Sequence, residues 1–285
     1  MPELPEVEAL ASFLRERAVG RAVARVDVVA ISALKTYDPP VTALQGLTVT
    51  GVARHGTFLD VDVDGVHLVA HLAHAGRLRW QDRVPARPAR PGGRNPLAVR
   101  VHLDDGSGFD LTETGTRKGL AVHVVRDPAE VPGITALGPD PLDPSFTPQT
   151  LRGIVTGRRT QIKGLLRDQT TIAGIGDAYS DEILHTARTS PFKLAAALTD
   201  EEIETLHEAI VGTLREAVER SASTAEPGAE ERTGLRVHGR TGQECPVCGD
   251  TIREVSFADG ALQYCPTCQT GGNPLADRRM SRLLK

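Results

Sequence analysis

Apolar residues near the N-terminus recur at the spacing of an amphipathic helix. Val7, Leu10, Leu14 and Ala18 are three or four positions apart, so they line one helix face. Gly20 follows them and is a typical helix stop, because glycine readily adopts the left-handed conformation that ends many helices. The pattern predicts one helix at the start of the chain.

From residue 22 to about residue 125 the pattern changes to short runs in which apolar and polar residues alternate. Leu59–Val63, Val66–Val69 and Val99–Leu103 are examples. A period of two is typical of strands with one buried face, and glycine, proline and aspartate separate the runs. A β-sandwich or barrel is therefore expected after the first helix.

Helical spacing returns in the second half of the chain. Prolines cluster in residues 138–148, as in a linker, and residues 178–187 predict a short helix. A longer helix is expected after Thr199, which forms a capping-box pattern with Glu202. Its apolar face consists of Ile203, Leu206, Ile210, Leu214 and Val218. We therefore expect a sandwich domain, a linker, a helical domain and a cysteine-containing region at 1–135, 136–148, 149–233 and 234–285.

The cysteines form two C-x-x-C pairs near the C-terminus, Cys245 with Cys248 and Cys265 with Cys268. Each pair can present two thiolates from a tight turn, and together they complete the tetrahedral set of a structural zinc site. Disulfides are the alternative, but nothing in the sequence indicates export. Four thiolates leave no open coordination position, so we expect one structural Zn²⁺ that stabilises the fold.

Composition limits the classes of protein that remain. The chain has 285 residues, 40% of them hydrophobic and 25% charged, with a formal net charge of −4. No long apolar run or basic leader is present, so we expect no membrane span and a cytoplasmic location. The net charge argues against a strongly basic nucleic-acid binder. However, residues 83–100 and 152–167 carry cations and no acids, which permits a cationic face.

The chain begins Met1-Pro2-Glu3. Removal of the initiator methionine would expose the secondary amine of Pro2 beside the Glu3 carboxylate. An α-amino group has a pKa near ~8, so part of it is unprotonated and nucleophilic at neutral pH. Attack on an aldehyde-like carbon would give an iminium ion, an electron sink. The alternative is structural, because proline and glutamate are both common at helix starts.

Four segments together resemble the formamidopyrimidine-DNA glycosylase/endonuclease VIII family of base-excision repair enzymes. They are PELPEVE at 2–8, HLAHAGRLRW at 71–80, GIGDAYSDEIL at 174–184 and CPTCQTGG at 265–272. The resemblance implies an α+β multidomain protein. Its parts would be an N-terminal β-sandwich with a leading helix, a helix–two-turns–helix module and a C-terminal four-cysteine zinc ribbon. It also implies a nucleoid-associated monomer that holds double-stranded DNA containing damaged bases or abasic sites.

The resemblance also implies a mechanism. Pro2 would attack C1′ of a flipped-out nucleotide, and Glu3 would transfer protons as the base leaves. The resulting iminium would acidify the neighbouring sugar protons, so strand cleavage would follow. Glycosylase and abasic-site lyase activities would then share one intermediate.

Several residues are candidates for DNA contact. Gly174 and Gly176 let a backbone approach phosphate closely, just before a helix N-terminus. The resemblance adds Lys163 as a phosphate contact, Tyr179 beside the turn, and His71 at the cleft. Core packing is the alternative for Tyr179, and a satisfied strand histidine is the alternative for His71.

Three positions depart from the family pattern at expected DNA contacts. Thr57 replaces a lysine, Asp177 replaces an asparagine, and Gly260 replaces an arginine of the zinc ribbon. Two of these changes remove a positive charge, and Asp177 adds a negative one where phosphate is expected. The short 221–233 segment favours an endonuclease VIII-like preference for oxidised pyrimidines.

Two functional hypotheses follow, and a third is weaker. The first is a weakened but active bifunctional glycosylase/lyase, because Pro2 and Glu3 are present. The second is a catalytically impaired DNA-binding paralogue, because three contacts are changed. The third is a metallohydrolase that uses His67, His71 and His74.

Overall fold

The computed structural model describes residues 1–85, 87, 96–116, 118–222, 232, 234–257 and 260–275. These residues fall into two compact units. The first contains Met1–Leu137 and the chain from Val218 onward in the long helix, and the second contains Gly138–Ala217 and the described part of 231–285. The finer division at 135, 148 and 233 stays a prediction.

The first unit is a helix followed by two four-stranded antiparallel sheets. Helix α1 is Leu4–Ala18, and a short helix α2 is Pro132–Thr135. The strands are β1 Val23–Val28, β2 Val49–His55, β3 Phe58–Val63, β4 Val66–His71, β5 Gly76–Gln81, β6 Leu97–Leu103, β7 Gly108–Glu113 and β8 Ala121–Val125. The sheet orders are β1-β6-β7-β5 and β2-β3-β4-β8.

One apolar core joins α1 to both sheets. The predicted helix face is buried, and alternate residues of β3 (Leu59, Val61 and Val63) pack into the same cluster as Val99 and Val101 of β6. The alternation therefore predicted the buried faces correctly. Strand β7 differs because its polar residues are buried too, and Asp110 is paired there with Arg100 at 2.6 Å.

The second unit combines helices with a β-hairpin that has one cysteine pair before it and one after it. Its helices are α3 Pro148–Val155, α4 Ile162–Arg167, α5 Asp177–Thr186, the part of α6 Asp200–Ala222 up to Ala217, and α7 Pro266–Thr270. Strands β9 Arg253–Phe257 and β10 Gly260–Tyr264 pair antiparallel. Residues 258–259, between the two strands, lie outside the described residues.

The capping box of α6 is confirmed. The Glu202 side chain accepts from the Thr199 N–H at 2.9 Å, and the Thr199 hydroxyl accepts from the Glu202 N–H at 3.3 Å. Its predicted apolar face is buried except for the half-buried Val218. The predicted α+β fold class is thus confirmed: the protein has N-terminal β-sheets, a helical module and a C-terminal cluster of four cysteines. Among the described helices, none has the length and apolar character needed to cross a bilayer.

Candidate active site and zinc centre

The N-terminus lies at the start of α1, where Glu3 is the N-cap residue. The Glu3 N–H donates to Oε2 of Glu6 at 2.7 Å, as part of a capping box. Glu3 is 3% exposed, and Pro2 is half-buried. The helix therefore fixes the backbone of Glu3 and the position of Pro2 beside it. The structural and catalytic interpretations are compatible, because this bond does not use the Pro2 ring nitrogen.

His71 ends β4, and its ring lies against Phe58 with the ring centroids 4.7 Å apart. Burial lowers the pKa of His71 below 6.5, and nearby His74 and His123 lower it further. His71 is therefore neutral at pH 7. It can donate one N–H to a ligand, but it brings no positive charge.

The remaining histidines of this sheet do not form a metal site. His67 Nδ1 lies 2.9 Å from Oδ1 of Asp60, and His55 Nε2 lies 3.1 Å from the other oxygen. Within the part of the chain that the structure describes, the one cluster close enough to share a metal ion is at the C-terminal cysteines. The metallohydrolase hypothesis for His67, His71 and His74 is therefore wrong.

The glycine turn before α5 is braced by Gln169, which sequence reasoning missed. Gln169 Oε1 accepts from the Gly174 N–H at 2.8 Å, and its Nε2 donates to the Ile175 carbonyl at 2.6 Å. Gly174 has φ +84°, a conformation that favours glycine. Its N–H is committed to Gln169, so a phosphate would have to be bound by other amides of the turn.

Asp177 is the first residue of α5, after the N-cap Gly176. A carboxylate there interacts favourably with the helix dipole. Its Oδ1 also forms an ion pair with Arg167 Nε at 2.9 Å, and both side chains are 45% exposed. The negative charge anticipated at this position is therefore paired with a cation of α4.

Lys163 is buried, with 5% exposure, and does not present its charge to solvent. Its Nζ donates to the Asp177 carbonyl, Ser180 Oγ and Asp181 Oδ1 at 3.1, 2.8 and 2.7 Å. An ammonium has three protons, so these acceptors use its full capacity. In this structure Lys163 joins α4 to α5, and the phosphate contact expected of it stays a prediction.

Two acidic residues join α5 to the segment before the cysteines. Asp181 Oδ2 accepts from His238 Nδ1 at 2.9 Å and from the Gln263 N–H at 3.2 Å. Glu182 accepts the backbone N–H groups of residues 236, 237 and 238 at 2.7, 2.9 and 2.8 Å. Both carboxylates are buried and act as internal connectors.

Tyr179 is buried on α5, as the core-packing interpretation requires. The Arg232 guanidinium carbon lies 5.4 Å from its ring centroid, within cation–π range. The structure thus places Tyr179 beneath an arginine, and a direct DNA contact by Tyr179 stays a prediction.

The four cysteines come together at the C-terminal hairpin. Sγ of Cys245 lies 3.9 Å from that of Cys268, and Sγ of Cys248 lies 3.3 Å from that of Cys265. Tetrahedral zinc with Zn–S bonds of ~2.3 Å separates its sulfurs by ~3.8 Å. The donor set and spacing therefore fit one structural zinc ion.

Comparisons with known proteins account for the whole architecture. The formamidopyrimidine-DNA glycosylase N-terminal domain matches residues 1–122, and the glycosylase H2TH domain matches residues 137–227. The zinc finger found in FPG and IleRS matches residues 242–271. A formamidopyrimidine-DNA glycosylase of Symbiobacterium thermophilum is 39% identical over 94% of this chain and 89% of its own length.

The chain belongs to the formamidopyrimidine-DNA glycosylase family. An uncharacterized formamidopyrimidine-DNA glycosylase-like protein of Mycobacterium tuberculosis is 57% identical over 55% of this chain and 99% of its own length. The Lactococcus lactis formamidopyrimidine-DNA glycosylase, solved with DNA containing an abasic site, superposes with a TM-score of 0.81. It is 26% identical and covers 94% of this chain and 99% of its own. Family members are bifunctional DNA glycosylases and abasic-site lyases of base-excision repair.

Two departures from the family pattern have clear structural settings. Thr57 lies buried between β2 and β3, so it offers neither a charge nor an exposed donor. Gly260 begins β10, is exposed and has open space where a side chain would project. The family resemblance implies cations at both positions, and this chain has threonine and glycine there.

Proposed function

We propose that this protein removes damaged bases from double-stranded DNA and then cleaves the abasic site through a Schiff base on Pro2. The observation that carries the proposal is the fixed Pro2–Glu3 start of α1 in a chain that matches glycosylase domains nearly throughout. The nucleophile would be the secondary amine of Pro2 after loss of Met1.

Base removal and strand cleavage would proceed through one covalent intermediate on Pro2. The Pro2 nitrogen forms a bond to C1′ while the glycosidic bond breaks, and the base leaves with the bonding electrons and a proton. The lone pair of the Pro2 nitrogen then breaks the C1′–O4′ bond, O4′ takes up a proton, and the ring-opened sugar and Pro2 share an iminium. A proton acceptor then removes the sugar proton next to that iminium. The C–H electron pair moves into a new double bond, and the 3′ phosphate leaves with the electrons of its own C–O bond. Glu3 is the proposed proton carrier because it adjoins Pro2.

Glu3 would have to combine this role with its place at the start of α1. Its N–H bond to Glu6 fixes the backbone of Glu3, the residue that follows Pro2 in the chain. Glu3→Gln keeps the shape of the side chain but removes its ability to accept and release a proton. It therefore separates chemistry from helix capping.

Borohydride trapping on an abasic-site duplex tests the proposal. The reductant converts an iminium to a stable amine, so wild-type protein should form a covalent protein–DNA adduct. Pro2→Gly replaces the secondary amine with a less reactive primary amine, so it should strongly reduce the adduct while leaving duplex binding within about two-fold of wild type. Glu3→Gln should slow base release and elimination while the helix content by circular dichroism stays unchanged. An undiminished adduct in Pro2→Gly would refute the assignment.

The second candidate function is that of a DNA-binding paralogue with impaired catalysis. The buried Thr57 and the bare Gly260 favour it, because both remove cations from expected phosphate contacts. The absence of a trapped adduct at low salt, with duplex binding intact, would support this candidate. A trapped adduct at low salt that weakens steeply with added salt would support the weakened enzyme.

The site of action and the substrate follow from the same proposal. We propose that the protein acts on nucleoid DNA in the cytoplasm, and that it does so as a monomer. An endonuclease VIII-like preference for oxidised pyrimidines stays a prediction. The relatives named above instead carry the formamidopyrimidine-DNA glycosylase name. A panel of duplexes with single oxidised purines or pyrimidines would decide between the two classes.

A further inference from the structure

We propose that His185 is a positioning residue of the zinc centre and hydrogen-bonds the Cys245 thiolate from α5. His185 Nε2 lies 3.3 Å from Cys245 Sγ. Its ligand nitrogen and the sulfurs of Cys245, Cys265 and Cys268 all lie within 4.8 Å of one another. The cysteine motif contains no histidine, so the sequence pattern gave no sign of this fifth residue.

The burial of His185 indicates which hydrogen bond its imidazole ring makes. The residue is 3% exposed, and Nδ1 has no hydrogen-bond partner among the described residues. Burying an imidazole with one unsatisfied nitrogen carries a desolvation cost. A strong hydrogen bond at the other nitrogen offsets that cost. Cys245 Sγ is the partner of Nε2, so the proton belongs on Nε2 and points at the sulfur.

The charge of the zinc centre explains the need for a donor. Four thiolates around Zn²⁺ leave two net negative charges, and Cys245 and Cys265 are buried where water cannot solvate them. An N–H directed at Cys245 Sγ offsets that charge and orients the ligand. His185 acts as a donor and not as a ligand, because the four cysteines already complete a tetrahedron.

His185 lies on α5, and other residues of this helix are hydrogen-bonded to the segment before the cysteines. Helix α5 begins at Asp177 by the glycine turn, carries Asp181 and Glu182 in its middle, and holds His185 in its last turn. The bond to Cys245 therefore links the zinc centre to the helical module. Loss of zinc should release the last turn of α5 as well as the cysteine loops.

Zinc affinity measured by competition with a chromophoric chelator tests the proposal. His185→Phe keeps a ring but removes the donor, and it should weaken zinc binding by about 10- to 100-fold. His185→Gln restores an N–H donor and should recover part of that loss. His207→Phe is the matched control, because His207 Nε2 bonds the Phe146 carbonyl and lies on another helix. It should bind zinc like wild type.

Two results would overturn the proposal. The first is wild-type zinc affinity in His185→Phe. The second is a cadmium-113 spectrum of the substituted wild-type protein that reports three sulfurs and one nitrogen, since that makes His185 a ligand. The expected spectrum reports four sulfurs, with a coupling between cadmium and the His185 Nε2 proton across the hydrogen bond.

These measurements need no DNA, so they stand apart from the proposed function. Because His185→Phe could destabilise α5, amide exchange of α5 is compared in zinc-saturated and zinc-free wild type. Faster exchange at residues 183–186 on zinc removal supports the link, and unchanged exchange contradicts it.

Discussion

At the scale of single residues, Asp177 shows how a partner changes the meaning of a substitution. The carboxylate replaces a donor that the family uses near phosphate, yet its charge is paired with Arg167. The pair occupies the N-terminus of α5, where an anion would otherwise bind. We therefore predict that Asp177 competes with phosphate for both Arg167 and the helix end.

The Asp177→Asn variant should bind duplex DNA more tightly, and most strongly at low salt. It removes one negative charge and frees Arg167, so the slope of log affinity against log salt should steepen by about 1. Binding is measured by fluorescence anisotropy across a salt series. Arg167→Gln is the matched control and should weaken binding; equal affinity of Asp177→Asn and wild type at every salt concentration would contradict the account.

The Lys163→Met variant should lose stability rather than DNA affinity. Removing the ammonium leaves buried Asp181 without its cation, and breaking a buried pair in this way costs roughly 3–5 kcal/mol. Denaturant unfolding measures the loss. A stable variant with a shallower salt slope for DNA binding would instead identify Lys163 as a phosphate contact.

The lowered pKa of His71 predicts a pH dependence of stability. The unfolded chain, with an ordinary histidine pKa of about 6.5, binds a proton before the folded state does. The part of the unfolding free energy that depends on neutral His71 is therefore fully present above pH 6.5. It is lost as pH falls through the lower pKa of His71 in the folded state. His71→Gln should flatten the decline in unfolding free energy below pH 6.5 relative to wild type. Parallel pH curves for the two proteins would count against it.

At the scale of elements, the hairpin β9–β10 lacks the cation that the family pattern places there. A Cβ at Gly260 would have no neighbour within 4 Å, and the backbone there is not left-handed, so a side chain is sterically allowed. The described strands of the hairpin therefore leave room for a side chain at position 260.

The Gly260→Arg variant should keep the melting temperature and bind DNA more tightly. One added phosphate contact should steepen the salt slope by about 1. Gly260→Gln serves as the uncharged control and should leave the slope unchanged. Tighter binding by both variants to the same degree would show that charge is not the cause.

At the scale of the whole molecule, the two units should respond differently to loss of zinc. The cysteines and α5 lie in the second unit, whereas the two sheets and α1 lie in the first. Chelation of zinc should therefore abolish DNA binding while the sheets keep their cooperative melting transition. Anisotropy and calorimetry on one chelator titration test this order. Loss of both signals at the same chelator concentration would contradict it.

The predictable parts of the fold are those specified by local pattern. The capping box at Thr199, the alternation in β3 and the two cysteine pairs depend on residues close in sequence, and all appear as expected. The bonds of Asp181 to His238 and of His185 to Cys245 join residues 57 and 60 positions apart. Such partners are set by tertiary packing, so neither was predictable from the sequence. The bonds of Lys163 to Ser180 and Asp181 depend on tertiary packing in the same way.

The most direct measurement is peptide mapping of the borohydride-reduced protein–DNA complex. We predict that the sugar remnant is found on the nitrogen of Pro2, in a peptide that begins at Pro2 and lacks Met1. A remnant on a lysine, or an intact Met1 in protein that still cleaves abasic-site DNA, would contradict the account.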